Sequence, residues 1–179
     1  MINPADESVG ELRQMTPKRS QIKDLKEGEE NAEVLATIIQ VQDPAFFESC
    51  PSCRRKVTIN NGESVCVNHG AVQPKTSMVM NVVLDDGTDD MRVVFFGDQS
   101  SSLTKKSYPE LVLIRENPSI MEEIKAGLLG KIVKVQGRMV KNKMFDRVEM
   151  IANTIDLNPN PDDELKRLQG EVEKVKKEP

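Results

Sequence analysis

Cys50-Pro51-Ser52-Cys53 and Cys66-Val67-Asn68-His69 together read C-x2-C-x12-C-x2-H, and they use all three cysteines and the one histidine of a 179-residue chain. Each half is a tight turn that offers two ligands, and two such turns close a tetrahedral site. Thiolate and imidazole donors suit Zn²⁺, and four protein ligands leave no open position for water or substrate. Cys50, Cys53, Cys66 and His69 are therefore expected to hold one structural zinc per chain. A disulfide is the weaker reading, because three cysteines are an odd number and no secretory context is evident. The metal also limits the fold around it. A segment of roughly 30 residues buries little core, and a bound zinc would supply the missing folding free energy.

No apolar run approaches the roughly 18 residues a membrane-spanning helix needs, and Met1–Ser20 is polar with no apolar signal-peptide core. The expectation is a soluble, intracellular protein with no membrane partner. Net charge is −4 with a pI of about 5.2, which taken as a sum speaks against a nucleic-acid ligand. The distribution says otherwise. Lys131, Lys134, Arg138, Lys141, Lys143 and Arg147 stand against Asp146 alone between positions 131 and 147, a local excess of +5. Such a track suits phosphates, although a solvated strand face would carry the same charges.

Residues 1–20 read as a flexible segment, with one or two helical turns available at Ser8–Met15. A first strand is expected over Glu33–Gln42, rich in β-branched residues. The zinc ribbon follows at 46–74, with Asn60-Asn61-Gly62 as a hairpin turn. Ser77–Leu84 and Met91–Phe96 form a hairpin across Asp85–Asp90. That acidic turn invites a Mg²⁺ reading, but Asp and Gly are also what a tight turn requires, which is the stronger reading. Short helices are expected within 98–129. The last starts at Asn117-Pro118 as cap and first position, places Ile120, Met121, Ile124 and Leu128 on one face, and ends at Gly130. Lys131–Val140 is a fourth strand with a bend or bulge at Gly137, Lys141-Asn142-Lys143 a turn, and Met144–Leu157 a fifth strand kinked at Ala152-Asn153. After Asn158-Pro159, a helix over 161–177 opens with Asn160 as cap. Leu165, Leu168, Val172 and Val175 then trace a narrow a/d seam of the kind that packs on other helices, here read as an assembly surface.

Five strands with helix between the third and fourth is the order of an OB-fold. The fold class expected is thus mainly β, a five-stranded OB-fold barrel over 21–157 with an inserted zinc ribbon and a C-terminal oligomerisation helix. Such barrels bind extended single strands across strands 2–3 and the loops joining strands 1–2 and 4–5. That ligand needs cations for phosphates and flat side chains for bases. The aromatic candidates are Phe47 beside the ribbon, Phe95 and Phe96 at the end of strand 3, and Phe145 past the 4–5 loop. The cationic candidates are Arg92, Arg138, Lys141, Lys143 and Arg147. Adjacent Phe95 and Phe96 point to opposite faces. One is expected in the core and the other on the groove, without the sequence deciding which.

Several stretches resemble replication protein A, and within it the zinc-containing C-terminal OB domain of an archaeal large subunit. They are Thr37–Val41, Phe46–Cys53, Cys66–Gly70, Leu84–Thr88, Arg92–Phe96, Gly137-Arg138, Asn142 and Phe145–Glu149. The resemblance implies binding of single-stranded DNA in replication, repair and recombination. It also implies a heterotrimer with two smaller OB-fold subunits joined through C-terminal helices, contacts with replication and repair proteins, and residence in the cytoplasm and nucleoid of an archaeon. The chain departs from the pattern in having His69 where eukaryotic large subunits carry a fourth cysteine. Such subunits normally carry further OB domains upstream, which these 179 residues do not include, so a fragment or a short paralogue is the expectation. An enzyme is not expected, since the ligand set is closed and no second histidine or nucleophile motif is present. The alternative is a zinc-ribbon protein–protein adaptor in a replication or transcription complex, with little DNA affinity of its own.

Overall fold

The computed structural model describes residues 17–177, and its frame follows from alternation along five long strands. In β2 (Ala32–Val41), Ala32, Val34, Ala36 and Ile38 point inward and are buried, while Glu33, Leu35 and Thr37 point out. β7 (Lys75–Asp85) buries Met78, Met80, Val82 and Leu84 in the same way. β8 (Asp90–Phe96), β9 (Ile132–Asn142) and β10 (Arg147–Asp156) complete the wall. Strand order β2-β9-β10-β8-β7 returns to β2, which closes the sheet into a barrel. Within that ring every pairing is antiparallel except β8 with β10. This is the OB-fold expected from the element order.

The strands are long enough to bend and serve two partners. β2 pairs with β9 through residues 32–37 and with β7 through residues 37–41. Two short strands extend the edges. β1 (Lys18–Arg19) lies parallel to the start of β2, so the end of the segment expected to be flexible is paired backbone. The expected turns at Ser8–Met15 lie outside the described residues. β3 (Ala45–Ser49) pairs with residues 75–79 of β7, so Phe46 and Phe47 belong to the barrel sheet, not to the ribbon. The ribbon itself is a separate sheet of β4 (Thr58–Asn60), β5 (Glu63–Cys66) and β6 (Gly70–Ala71). Asn61 and Gly62 turn its hairpin with φ of 53° and 81°, the two positive values a type I′ turn needs.

Helices α1 (Asp98–Thr104), α2 (Tyr108–Val112) and α3 (Pro118–Leu128) fill the link between β8 and β9. Asn117 caps α3 by accepting from the Ser119 backbone N–H, and Met121, Ile124 and Leu128 enter the barrel core as their spacing indicates. β9 runs on to Asn142, so Lys141 and Asn142 are strand residues and the turn occupies 143–146. The irregularity between these last strands falls at Asn153, where the register slips between Ala152 and Thr154. Gly137 is regularly paired. It is glycine because a Cβ there would run into the Ile151 carbonyl and the Met150 side chain.

The acidic turn is structural. Asp86 accepts from the backbone N–H groups of Ile22, Thr88 and Asp89, and Asp85 accepts from Gly87. Burial opposes ionisation of Asp86, but the hydrogen bonds from Thr88 and Ile22 outweigh it and lower its pKa. Helix α4 (Pro161–Lys177) opens with the Asn160 side chain accepting from the Asp162 N–H. Arg19 ties it to the barrel by ion pairs to both Glu164 and Glu33.

Candidate metal centre and groove

The ribbon brings its four candidate ligands to one point. Cys50 follows directly on β3, and the chain turns back at Arg54 with φ of 65°, its N–H donating to the Cys50 carbonyl. Cys66 ends β5, and His69 lies in the turn to β6. The donor atoms of Cys50, Cys53, Cys66 and His69 all lie within 4.8 Å of one another. Cys53 Sγ is 3.4 Å from Cys66 Sγ, and His69 Nδ1 is 3.6 Å from the sulfurs of both Cys50 and Cys66. A tetrahedron with thiolate and imidazole bonds to zinc has edges of about 3.5–3.8 Å, so the cluster has the dimensions for a metal, with Nδ1 as the histidine donor.

The surrounding backbone prepares charge. The N–H of Cys53, with that of Ser52, lowers the pKa of Cys50, and the N–H of Asn68 does most to lower that of Cys66. At Cys53 the Arg55 N–H also favours the thiolate, but burial and the two neighbouring thiols outweigh it and raise the pKa. Three thiolates this close cannot all ionise without a cation between them, and a divalent metal removes that conflict. Around the site, Cys50, Val57 and Cys66 form a small core of their own, separate from the barrel core.

The second candidate site is the outer face of β3, β7 and β8. Phe47 stands opposite Ser77, and Phe96 stands opposite Val79. Since Met78 and Met80 point inward, Ser77, Val79 and both phenylalanines face outward. Phe96 is 43% exposed, whereas Phe95 is fully buried in the barrel. Phe95 is therefore removed from the candidate contacts, because alternation along β8 turns it to the core. The same face ends in a cluster over the 143–146 turn. The guanidinium carbons of Arg92 and Arg147 lie 5.7 Å and 5.4 Å from the centroid of the Phe145 ring, and that ring is half exposed.

The remaining cations do not form one line. Lys134 and Arg138 lie on the outer side of β9, with Arg138 opposite Ile151 and making no ion pair among the described residues. Lys141 has the opposite parity and pairs with Asp146 at 3.0 Å. Lys143 is exposed in the turn. On α4, Leu165, Leu168 and Val172 are each about half exposed, and the Val175 side chain lies outside those described. Leu165 and Leu168 border an open groove of about 590 Å³ against Leu35, Ile132, Leu157 and Pro159.

Two further features, one at each candidate site, carry no site signal in the sequence. Glu149 is 5% exposed, lies 3.5 Å from Arg92 Nε, and accepts a 3.0 Å hydrogen bond from Asn142 Nδ2. Alternation places Glu149 outward like Arg147, and its burial arises from Arg92 on β8. That parallel neighbour has no signature in local sequence. The run Arg54-Arg55-Lys56, by contrast, is exposed beside the metal cluster, with Arg54 3.2 Å from Asp98.

No family model matches the chain. It is 26% identical over 167 residues to Replication factor A of Methanothermobacter thermautotrophicus, which covers 86% of this chain and 21% of that protein. The chain therefore spans about a fifth of the length of this curated relative. Among solved structures, a replication protein A heterotrimer bound to ssDNA superposes with a TM-score of 0.66 at 18% identity, over 86% of this chain and 39% of that one. Yeast RPA bound to ssDNA gives 0.65 at 19% identity, over 89% and 98%. At these identities the structures establish a common fold.

Proposed function

We propose that this archaeal replication protein A-like chain is a non-catalytic, single-stranded DNA-binding subunit that protects single strands during replication, repair and recombination. The observation that carries the reading is the half-exposed Phe145 ring between Arg92 and Arg147, on the outer face that also presents Phe47 and Phe96. Stacking on such rings accepts any base, and the neighbouring guanidinium groups suit phosphates. The closed barrel supplies the rigid support.

In this reading Cys50, Cys53, Cys66 and His69 hold a structural Zn²⁺ that orders the ribbon beside Phe47. The barrel over 21–157 carries the groove, and 161–177 is an assembly helix. Its seam of Leu165, Leu168 and Val172 would pack against helices of two smaller OB-fold subunits in a heterotrimer. An intracellular setting follows from that role. Fluorescence titration of an oligo-dT strand at low and moderate salt, with zinc measured on the same sample, tests the proposal. Salt-sensitive binding with one zinc per chain supports it, and absence of binding overturns the DNA-binding part.

The adaptor reading has one observation in its favour. Arg92 and Lys141 are already paired with Glu149 and Asp146. Their charge is partly neutralised, and the half-exposed helix seam is then the more prominent surface. A flat salt response with intact partner assembly would select it.

A further inference from the structure

We propose that Glu149 is a positioning residue of the groove: its buried carboxylate links Arg92 of β8 to Asn142 of β9 and so holds the 143–146 turn that presents Phe145. The inference rests on the single-strand-binding reading above. The links are continuous. Glu149 Oε1 accepts from Asn142 Nδ2 at 3.0 Å, and Asn142 Oδ1 in turn accepts from the backbone N–H groups of Met144 at 3.0 Å and Phe145 at 3.3 Å. Glu149 Oε2 lies 3.5 Å from Arg92 Nε, and Arg92 lies against the Phe145 ring.

Packing alone does not call for a carboxylate at this position. Val94 and Ile151 occupy neighbouring outward positions on the same two strands. Glu149 Oε2 is buried without a hydrogen bond, a costly state for a carboxylate oxygen. Its charge has a use beside Phe145. Two guanidinium groups approach one ring, and like charges that close repel unless a counter-charge stands beside them. Glu149 supplies that counter-charge to Arg92, while its other oxygen fixes the amide that shapes the turn. A preformed turn spares the ordering cost that a loose one meets on binding.

The test uses the full chain with Glu149→Ala, Glu149→Gln, Phe145→Ala and the double variant E149A/F145A. Amide hydrogen exchange is followed by NMR in the free protein, and oligo-dT affinity is measured across a salt series. Glu149→Ala should speed exchange at Met144 and Phe145 and weaken binding by about tenfold, the scale of one lost base–aromatic stack. Adding it to Phe145→Ala should cost nothing more, because Glu149 acts through Phe145. Glu149→Gln keeps the acceptor for Asn142 but frees Arg92, so exchange should stay slow while the salt slope steepens by about one phosphate contact. Unchanged exchange in Glu149→Ala, or losses that add in the double variant, would overturn the proposal. Should Glu149→Ala fail to fold, an unchanged salt slope in Glu149→Gln overturns it. Should the wild-type chain bind no oligonucleotide, the groove reading fails separately, and exchange still decides whether Glu149 holds the turn.

Discussion

Arg19 and Glu164, 145 residues apart, meet through two hydrogen bonds of 2.7 Å, a guanidinium fork on a carboxylate. Arg19 also bonds Glu33 of β2, so the first turn of α4 is fixed to the barrel wall at a defined point. The Arg19 hydrogen bonds, with a smaller contribution from Arg167, hold the Glu164 carboxyl down at about 2 against an ordinary 4.5. A depressed folded-state pKa contributes stability that is complete above the unfolded value and is lost as pH falls through the folded one. The docking of α4 should therefore weaken between about pH 4.5 and pH 2. Glu164→Gln should cost about 1 kcal/mol near neutral pH, given the partial exposure of the pair. Thermal melts of both proteins across that range should converge at its acid end, and a constant gap would sink the assignment.

Phe95 and Phe96 are neighbours in sequence with opposite fates. Phe95→Ala should destabilise the barrel by about 3–5 kcal/mol, since it empties a fully buried site. Phe96→Ala should leave urea melts nearly unchanged and weaken oligonucleotide binding by about 1–3 kcal/mol, one stacked base. Reversed results would place the groove on another face.

Much of this division was legible before the structure. The β-branched runs, the Asn117-Pro118 and Asn160-Pro161 helix starts, and the Asn61-Gly62 turn are local chemistry, and each formed where its residues require. The cysteine and histidine spacing brought the four candidate ligands together for the same reason. What stayed hidden depends on partners distant in the chain. Alternation told that Phe95 and Phe96 part company, but only the barrel decides which side is inside. The sequence assigns β3 to the ribbon because five residues beside a metal knuckle carry no mark of their pairing with β7. Glu149 has no mark in the sequence because its burial needs Arg92 from a parallel strand more than fifty residues earlier.

The ribbon and the barrel should respond separately to metal removal. Cys50→Ser or Cys66→Ser, or chelation, should abolish bound zinc and unfold residues of the small Cys50–Val57–Cys66 core. The barrel core shares none of these residues, so its NMR signals should persist and its melting should change little. Full zinc content in either variant would rule out the ligand set.

Gly137 tests the close approach of β9 to β10. A methyl group there meets the Ile151 carbonyl, which is backbone and cannot rotate away. Gly137→Ala should cost on the order of 1–3 kcal/mol as an overpacked position. It would also shift the neighbouring Arg138, so oligonucleotide binding should fall with stability. A neutral urea melt would show that the two strands have room to part.

Leu165, Leu168 and Val172 leave about half of their surface open on a helix whose first turn is anchored by Glu164 to Arg19. An isolated helix of this length is marginal in water, and Gly170 in its interior lowers its stability by roughly 1 kcal/mol relative to alanine. The exposed seam residues therefore leave apolar surface for a further helix to cover, and a/d spacing is what such a partner would match. Val172→Glu places a charge within that seam about two helical turns beyond Glu164, away from the Arg19–Glu164 fork. It should leave the barrel melt and the zinc content intact while abolishing co-purification with partner subunits, as read by sedimentation of the co-expressed complex. Deletion of 161–179 should do the same. If the deleted chain still assembles, the seam packs on its own barrel, and the groove lined by Leu35 and Ile132 becomes its seat.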